Sequence, residues 1–152
     1  MQRVIASPGQ ATTTDCDFCA IAAGETSTEI FYQSRHVVAF QPHRPATPGH
    51  TLLVPTVHLT DFLDLEPALA GELTAGAVAV GRALRKVLTP DGMNLISSAG
   101  VAATQSVFHL HFHVVPRWFD DEMTDLWPRH PMADHALPEA TVALLRQAAQ
   151  AG

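Results

Sequence analysis

Three histidines stand at alternate positions in the segment Gln105–Pro116, at His109, His111 and His113. In a β-strand, residues i, i+2 and i+4 point the same way at intervals of roughly 6.6 Å, so a strand would place these imidazoles on one face. The residues between them are apolar and are expected to fill the core side of the strand: Phe108, Leu110, Phe112 and Val114. Imidazole titrates near neutral pH and acts as a nucleophile, an acid–base group and a metal ligand. The pattern therefore predicts catalysis, with a three-histidine metal site or a plain solvent-facing strand as alternatives.

A second group able to do chemistry is the cysteine pair Cys16 and Cys19, spaced C-x-x-C. In a chain that begins without a recognisable signal peptide, this spacing is typical of a metal or redox site rather than of a structural disulfide. Structural zinc needs four nitrogen or sulfur ligands, of which the pair supplies two. No βαβ pattern follows the pair, which disfavours a thioredoxin-like redox site, and two free thiols remain an alternative.

Short apolar runs bounded by turn residues predict the strands that position these groups. The runs Ile30–Tyr32 and Val37–Phe40 flank a turn and predict a hairpin. Thr51–Val54 predicts a further strand that ends at Pro55, because proline cannot donate to a strand ladder. Asn94–Ser97 is a candidate strand ahead of the histidine segment, which is itself expected to be a strand throughout.

Two helices are predicted from apolar spacing. Between about Glu66 and Leu88, apolar residues recur at intervals typical of an amphipathic helix packed on a sheet: Leu69, Leu73, Val80, Leu84 and Val87. Glycines weaken this helix on propensity, so its stability is expected to come from packing. A short amphipathic helix is predicted from Pro138 onward.

Composition and net charge limit the classes of function that the chain can have. The 152 residues suit one domain, and 47% apolar with 16% charged residues is typical of a globular protein. The net charge of −6 arises from 15 acidic and 9 scattered basic residues, which disfavours binding to a nucleic-acid polymer. A small phosphate-containing ligand stays possible, since backbone N–H groups and histidines bind phosphate locally.

Apolar runs in the sequence are too short to cross a bilayer, which takes roughly 20 residues. The chain is therefore expected to be cytoplasmic and to have no membrane partner. Residues 1–14, rich in Thr, Ser, Gly, Pro and Gln, are expected to be a disordered leader.

Taken together, these features resemble the histidine-triad (HIT) family, and within it the Hint-like branch. The residues that carry the resemblance follow the family's order and spacing: Phe40, Pro45–His50, His58, Asn94–Leu95 and Gln105–His113. The resemblance runs from Cys16 to Arg117. It implies an α+β, HIT-like fold with a five-stranded antiparallel sheet and flanking helices, paired into a homodimer. The implied domains are a leader at 1–14, the HIT domain at 15–117 and an extension packed on it at 118–152.

The resemblance also implies a role for each site residue. His111 matches the nucleophile, which attacks the α-phosphorus of a nucleotide conjugate to give a covalent nucleotidyl-histidine that water resolves. His113 matches the residue that contacts the phosphate, Ser106 a hydroxyl near the leaving group, and Gln105 a phosphate-side neighbour. Independently of the resemblance, imidazolium and backbone N–H groups of the loop before the strand are expected to stabilise charge on the non-bridging oxygens. The implied nucleotide-binding residues are Phe18, Phe40, Gln41, His43, Leu52, Ser98 and Thr104.

Some Hint-like proteins complete a zinc site with two histidines, one just after the strand that ends in proline and one at the start of the triad. The matching residues are His58 and His109. The resemblance therefore implies a structural Zn²⁺ site of Cys16, Cys19, His58 and His109, while the chemistry itself needs no cofactor.

The chain departs from the Hint-like pattern at the ribose position. Two residues after Phe40, where an acidic residue usually accepts hydrogen bonds from ribose hydroxyls, stands Pro42. Gln41 or His43 is the candidate substitute. The loop Gly100–Thr104 is also bulkier than the family's glycine-rich form, which leaves less room for phosphate against the backbone.

The function implied is that of a nucleotide-conjugate hydrolase of the nucleoside phosphoramidate type, acting on a purine nucleotide. A dinucleoside polyphosphate hydrolase or phosphorylase is the alternative enzyme. A nucleotide-binding, zinc-stabilised module with little turnover is the alternative outside catalysis.

Overall fold

The computed structural model describes residues 15–126 and 136–151, so the expected leader at 1–14 lies outside the described residues. The chain divides after Asp121 into two compact units. The first carries the sheet and two helices, and the second carries helix α3 (Glu139–Ala151), at the position predicted from Pro138 onward. Within the described ranges, no helix has the length and apolar character needed to span a membrane.

Five strands form one antiparallel sheet in the order β1-β2-β3-β5-β4, which confirms the predicted sheet. Their bounds are β1 (Ile30–Gln33), β2 (Val37–Phe40), β3 (Thr51–Pro55), β4 (Gly92–Ile96) and β5 (Phe112–Arg117). Strands β1 and β2 are the predicted hairpin. Pro55 is included as the last residue of β3, where it pairs with Val37.

Strands β2 and β3 are buried on both faces, so they separate two apolar clusters. One set of alternate residues, including Val37 and Leu53, packs under α2 (Pro67–Leu88). The other set, including Phe40 and Leu52, packs with α1 (Asp17–Ala22), a helix of six residues. This two-residue alternation gives the sheet an α2 face and an α1 face.

Helix α2 approaches the sheet closely at one glycine. A Cβ added at Gly76 would lie 2.9 Å from Leu53 Cδ2 and 3.0 Å from Tyr32 Cε1, so a side chain there would force these neighbours to shift. Packing thus favours the glycine that weakens the helix on propensity. Of the predicted core residues of this helix, Leu73 and Val80 are buried, whereas Val87 is 76% exposed and was wrongly placed in the core.

The histidine segment is only partly a strand. The prediction of a strand from Gln105 is wrong, because β5 begins at Phe112. Ahead of it the N–H of Leu110 donates to the carbonyl of Leu59 at 2.6 Å instead of joining the sheet. Leu110 is buried as expected. Phe108 is 42% exposed, because it lies ahead of β5, where the strand's alternation of side chains between the two faces has not begun.

Candidate active site and metal centre

A row of paired residues crosses the α1 face of the sheet. Phe40 of β2 pairs with Leu52 of β3, and Leu52 pairs with His113 of β5, so their side chains stand side by side. Phe18 packs its ring edge-on against Phe40, with ring centroids 5.5 Å apart. These residues line an open pocket together with His111 and Ser106.

The hydrogen bonds of His111 fix its tautomer. Its Nδ1 lies 2.7 Å from the carbonyl oxygen of His109, which can only accept, so Nδ1 carries the proton. The lone pair is therefore on Nε2. Burial lowers the pKa of His111 below its usual 6.5, opposed by the hydrogen bond to the His109 carbonyl. His111 thus lines the pocket as a neutral imidazole with a free nucleophilic nitrogen.

A second histidine, His50, sets the tautomer of His113. The N–H of Ala46 donates to His50 Nδ1 at 3.0 Å, so the proton of neutral His50 is on Nε2. That Nε2–H donates to His113 Nδ1 at 2.8 Å, which leaves the proton of His113 on its own Nε2. His113 can therefore donate a hydrogen bond through its Nε2–H. The centroids of the His113 and His111 rings are 4.8 Å apart.

The charge state of His113 differs from the expected imidazolium. Burial, followed by repulsion from His111 and His50, lowers its pKa to about 4. The pKa of His50 is also lowered, by burial and then by His111. In the free protein at neutral pH, His113 is accordingly a neutral donor rather than a cation.

On the other side of Phe18, four side chains converge as a potential metal centre. Their ligand atoms all lie within 4.8 Å of one another: Cys16, Cys19, His58 and His109. His109 Nδ1 is 3.4 Å from each cysteine Sγ, and His58 Nδ1 is 3.3 Å from Cys19 Sγ. A tetrahedral ion with bonds of roughly 2.0–2.3 Å separates its ligands by about 3.3–3.8 Å, so this cluster fits such an ion.

The protonation of the cluster also suits a metal. His109 Nε2–H donates to the Pro55 carbonyl at 3.0 Å, which turns the Nδ1 lone pair towards the thiols. Burial lowers the pKa of His109 to about 4, so the ring is neutral and able to ligate. Both cysteines are free, and burial with the neighbouring Cys16 thiol raises the pKa of Cys19 to about 11. A divalent cation favours the thiolate form at such a pair.

Known proteins share sequence and fold with this chain. The HIT domain family model matches residues 23–120. The chain belongs to the HIT family. An uncharacterized HIT-like protein of Saccharolobus solfataricus is 40% identical over 116 residues, covering 75% of this chain and 84% of that protein. An adenylylsulfatase of Arabidopsis thaliana is 28% identical over 123 residues, covering 81% of this chain and 61% of that protein.

Among solved structures, a zinc-bound histidine triad family protein from Mycobacterium smegmatis superimposes with a TM-score of 0.69. It is 34% identical in sequence, and the match covers 90% of this chain and 99% of that one. The likeness confirms the HIT-like α+β fold expected from the sequence.

Within this HIT domain, Gln105 holds the loop ahead of the histidines. Its side-chain oxygen accepts the Gly100 N–H at 2.7 Å, and its amide nitrogen donates to the carbonyls of Thr60 at 2.7 Å and Val107 at 3.2 Å. Gln105 is buried, and its three bonds tie the loop to the chain around it directly before Ser106.

Three N–H groups in and next to that loop are also engaged. Those of Ala103 and Gln105 donate to the Gly100 carbonyl, and that of Thr104 donates to the Val101 carbonyl. These three are therefore bonded within the loop. Ser106 and His113 line the pocket, and each has a polar hydrogen to donate there.

Some of the other residues predicted from the sequence line the pocket, and others do not. The pocket is lined by five of the predicted nucleotide-binding residues: Phe18, Phe40, Gln41, His43 and Leu52. Ser98 and Thr104 are not among its lining. Sequence reasoning assigned no role to several residues that do line it: Asp17, Ile21, Thr26, Ser27, Thr28, Arg44, His50 and Val107. For His50 a signal existed, because it lies two residues before Leu52 and so shares its face.

Proposed function

We propose that this protein is a nucleotide-conjugate hydrolase of the nucleoside phosphoramidate type, with His111 as the nucleophile. The observation that carries the proposal is the tautomer of His111. The His109 carbonyl holds the proton on Nδ1, so the lone pair needed for attack is on Nε2. No separate base has to remove a proton first.

In the first step Nε2 of His111 attacks the α-phosphorus. The Nε2–P bond forms, and the P–N bond to the leaving amine breaks with its electron pair moving to nitrogen. Solvent supplies the proton that the amine takes up, relayed by the Ser106 hydroxyl that lines the same pocket. His113 donates its Nε2–H to a non-bridging oxygen, where negative charge develops.

The intermediate carries phosphorus on Nε2 and a proton on Nδ1 of His111, so its imidazole is cationic. The His109 carbonyl, 2.7 Å from Nδ1, stabilises that charge. In the second step water adds to phosphorus, and the Nε2–P electron pair returns to Nε2. A proton passes to solvent, a nucleoside monophosphate leaves, and His111 regains its starting tautomer.

The apolar end of the pocket suits a purine base. Phe18, Ile21, Phe40 and Leu52 line it with flat or branched apolar surface. Gln41 and His43, on either side of Pro42 in the sequence, also line the pocket. Their side chains carry polar atoms that can bond to a ribose. A purine nucleoside monophosphate group is therefore the proposed common part of the substrates.

Zinc is the proposed occupant of the Cys16, Cys19, His58 and His109 cluster. Two cysteine sulfurs with two imidazole nitrogens are a donor set typical of structural zinc. A zinc-bound relative of the same fold adds support. When bound, the ion contributes charge neutralisation and stability to the cluster, and the two chemical steps are carried by side chains of the pocket.

The test is phosphorus NMR of adenosine phosphoramidate with the wild-type protein and with His111→Ala. We expect AMP from the wild type and none from the variant. His36→Ala is the matched control, since this histidine lies outside the pocket and pairs with Glu72 at the surface. Equal AMP release by wild type and His111→Ala would contradict the proposal.

Adenylyl sulfate belongs in the same assay as a second candidate substrate. The relative from Arabidopsis thaliana is an adenylylsulfatase, and its substrate shares the adenylyl group. Attack by His111 would then expel sulfate, which needs no added proton. Faster AMP release from adenylyl sulfate than from the phosphoramidate would favour cleavage of the mixed anhydride between phosphate and sulfate as the reaction of this chain.

A further inference from the structure

The metal cluster and the nucleophile are joined through one aromatic side chain. Phe18 lies between the two cysteines in the sequence Cys16–Cys19. Its ring packs edge-on against His111, with centroids 5.3 Å apart and an interplanar angle of 86°. The same ring contacts His109 at 5.9 Å and 68°. Phe18 is buried, so its position and that of the His111 ring are mutually constrained.

His109 makes a second connection through its backbone. Its ring is fixed at both nitrogens, with Nδ1 among the cluster's ligand atoms and Nε2 on the Pro55 carbonyl. Its own carbonyl accepts the Nδ1–H of His111. A change in the placement of the His109 ring would therefore tilt the carbonyl that sets the tautomer and direction of the nucleophile.

Helix α1 has little stability of its own. It spans six residues, whereas isolated helices shorter than about 12–15 residues are marginal in water. Its N-cap residue, Cys16, makes no side-chain capping hydrogen bond. The helix and Phe18 are held by burial on the sheet and by the two cysteines, which are cluster ligands.

From these contacts we infer that Phe18 is a positioning residue that makes the orientation of His111 depend on metal occupancy of the cluster. Metal binding and nucleotide binding are then thermodynamically coupled, and this coupling rests on the proposed nucleotide function. Linkage is reciprocal, so zinc raises the affinity for AMP by the same factor by which AMP raises the affinity for zinc. We expect a factor of about 5 to 10, at the lower end of ordinary allosteric coupling.

The first readout needs no nucleotide. In the zinc-loaded protein, the bonded Nδ1–H of His111 should give a slowly exchanging imidazole proton in ¹H–¹⁵N spectra. Removal of zinc with a chelator should broaden or shift that signal while circular dichroism shows the sheet intact. An unchanged His111 signal in folded, zinc-free protein would overturn the inference.

If the zinc-free protein unfolds, a substitution in the zinc-loaded protein tests the inference instead. In zinc-loaded Phe18→Leu the apolar bulk remains but the ring contacts with His109 and His111 are lost. We expect the Nδ1–H of His111 to exchange faster with solvent while zinc stays bound, a change that loss of the ring current alone does not cause. The matched control is Val54→Ala, which removes bulk from the same apolar cluster but lies outside the pocket. An exchange rate of the His111 Nδ1–H in Phe18→Leu equal to that of the wild type would overturn the inference.

The coupling is then measured with AMP and zinc. We expect AMP to bind the zinc-loaded wild type about 5- to 10-fold more tightly than the zinc-free form, with no such ratio in Phe18→Leu. Phe18 also lines the pocket, so its substitution can change the affinity for AMP directly. The coupling is therefore judged from the ratio of the zinc-loaded to the zinc-free affinity and not from either affinity alone. AMP that fails to bind any form counts against the proposed function, whereas equal binding to both wild-type forms counts against the coupling.

Discussion

The two faces of the sheet are built differently. On the α2 face, a helix of 22 residues buries Leu73, Ala77 and Val80 against apolar residues of the central strands. On the α1 face, a helix of six residues covers part of the sheet, and histidines of the pocket and metal cluster fill much of the rest. Both faces hold an apolar cluster, but on the α1 face the cluster lies beside a polar site.

The difference separates stability from chemistry. Buried apolar area supplies most of the free energy of folding, and the α2 face holds the longer apolar layer. The α1 face instead holds the histidines of its pocket by hydrogen bonds of defined direction, beside four side chains that could ligate a metal ion. Changes in the pocket of the α1 face should therefore alter turnover more than folding, and changes on the α2 face should do the reverse.

The largest expected effect is on the α1 face. His111→Ala should lower AMP release by at least about 10³-fold, because it removes the atom that forms the covalent bond. The free energy of unfolding should change by less than about 1 kcal/mol beyond that of His36→Ala. Rate assays and urea denaturation of both variants check this. Strong destabilisation with retained turnover would show that the two faces do not divide these roles.

The converse substitution is Leu73→Ala on the α2 face. Leu73 is fully buried in the apolar cluster, so its truncation should cost about 2–5 kcal/mol of unfolding free energy. The rate per folded molecule should stay within about twofold of wild type, because the substitution leaves the hydrogen bonds of the pocket intact. A tenfold loss of that rate would mean that α2 packing also positions the histidines.

Metal loss should be the next largest effect. Cys16→Ser should reduce bound zinc well below one ion per chain. It should also remove the stabilisation that binding gives, about 2.7 kcal/mol at free zinc one hundred times Kd. Metal analysis and thermal unfolding with and without added zinc test this. If Cys16→Ser keeps full zinc and its unfolding still responds to zinc, the cluster is not the zinc site.

A smaller effect is expected at His50, which acts through His113. His50→Asn should lower kcat about tenfold, the equivalent of roughly 1.4 kcal/mol, by weakening the hydrogen bond that fixes the His113 tautomer. KM should change less, since His50 bonds His113 Nδ1 and so keeps a proton on Nε2, the nitrogen proposed to meet the developing charge. A KM effect with unchanged kcat would mean that His50 contacts the substrate directly.

Local patterns predicted the regular elements and the chemical groups. Apolar spacing located α2, and alternation together with turn residues located the β1–β2 hairpin. The C-x-x-C spacing and the family resemblance located all four residues of the metal cluster. The expected homodimer, cytoplasmic location and packed extension at 118–152 remain predictions.

Long-range contacts account for what the sequence did not predict. The start of β5 is set by the bond from Leu110 to Leu59, a contact between segments about fifty residues apart. Helix α1 is too short to show a periodic pattern, so only its burial on the sheet defines it. The family resemblance made Gln105 a phosphate-side neighbour, and its side-chain bonds to Gly100, Thr60 and Val107 were not readable from the sequence.

The smallest predicted effect is on the pH dependence of stability. The pKa of His113 is about 4 in the fold, against 6.5 for an ordinary histidine, so the unfolded chain binds more protons between those values. The contribution of His113 is thus fully present above about pH 6.5 and is lost as the pH falls towards 4. Because the shift comes from burial beside His50 and His111, His113→Gln should flatten the slope of unfolding free energy against pH in that window. Urea denaturation of zinc-saturated wild type and variant at several pH values measures it. Parallel slopes would mean that His113 is solvated well enough to titrate normally. The pocket would then be more open to solvent around His113 than the hydrogen bond to His50 indicates.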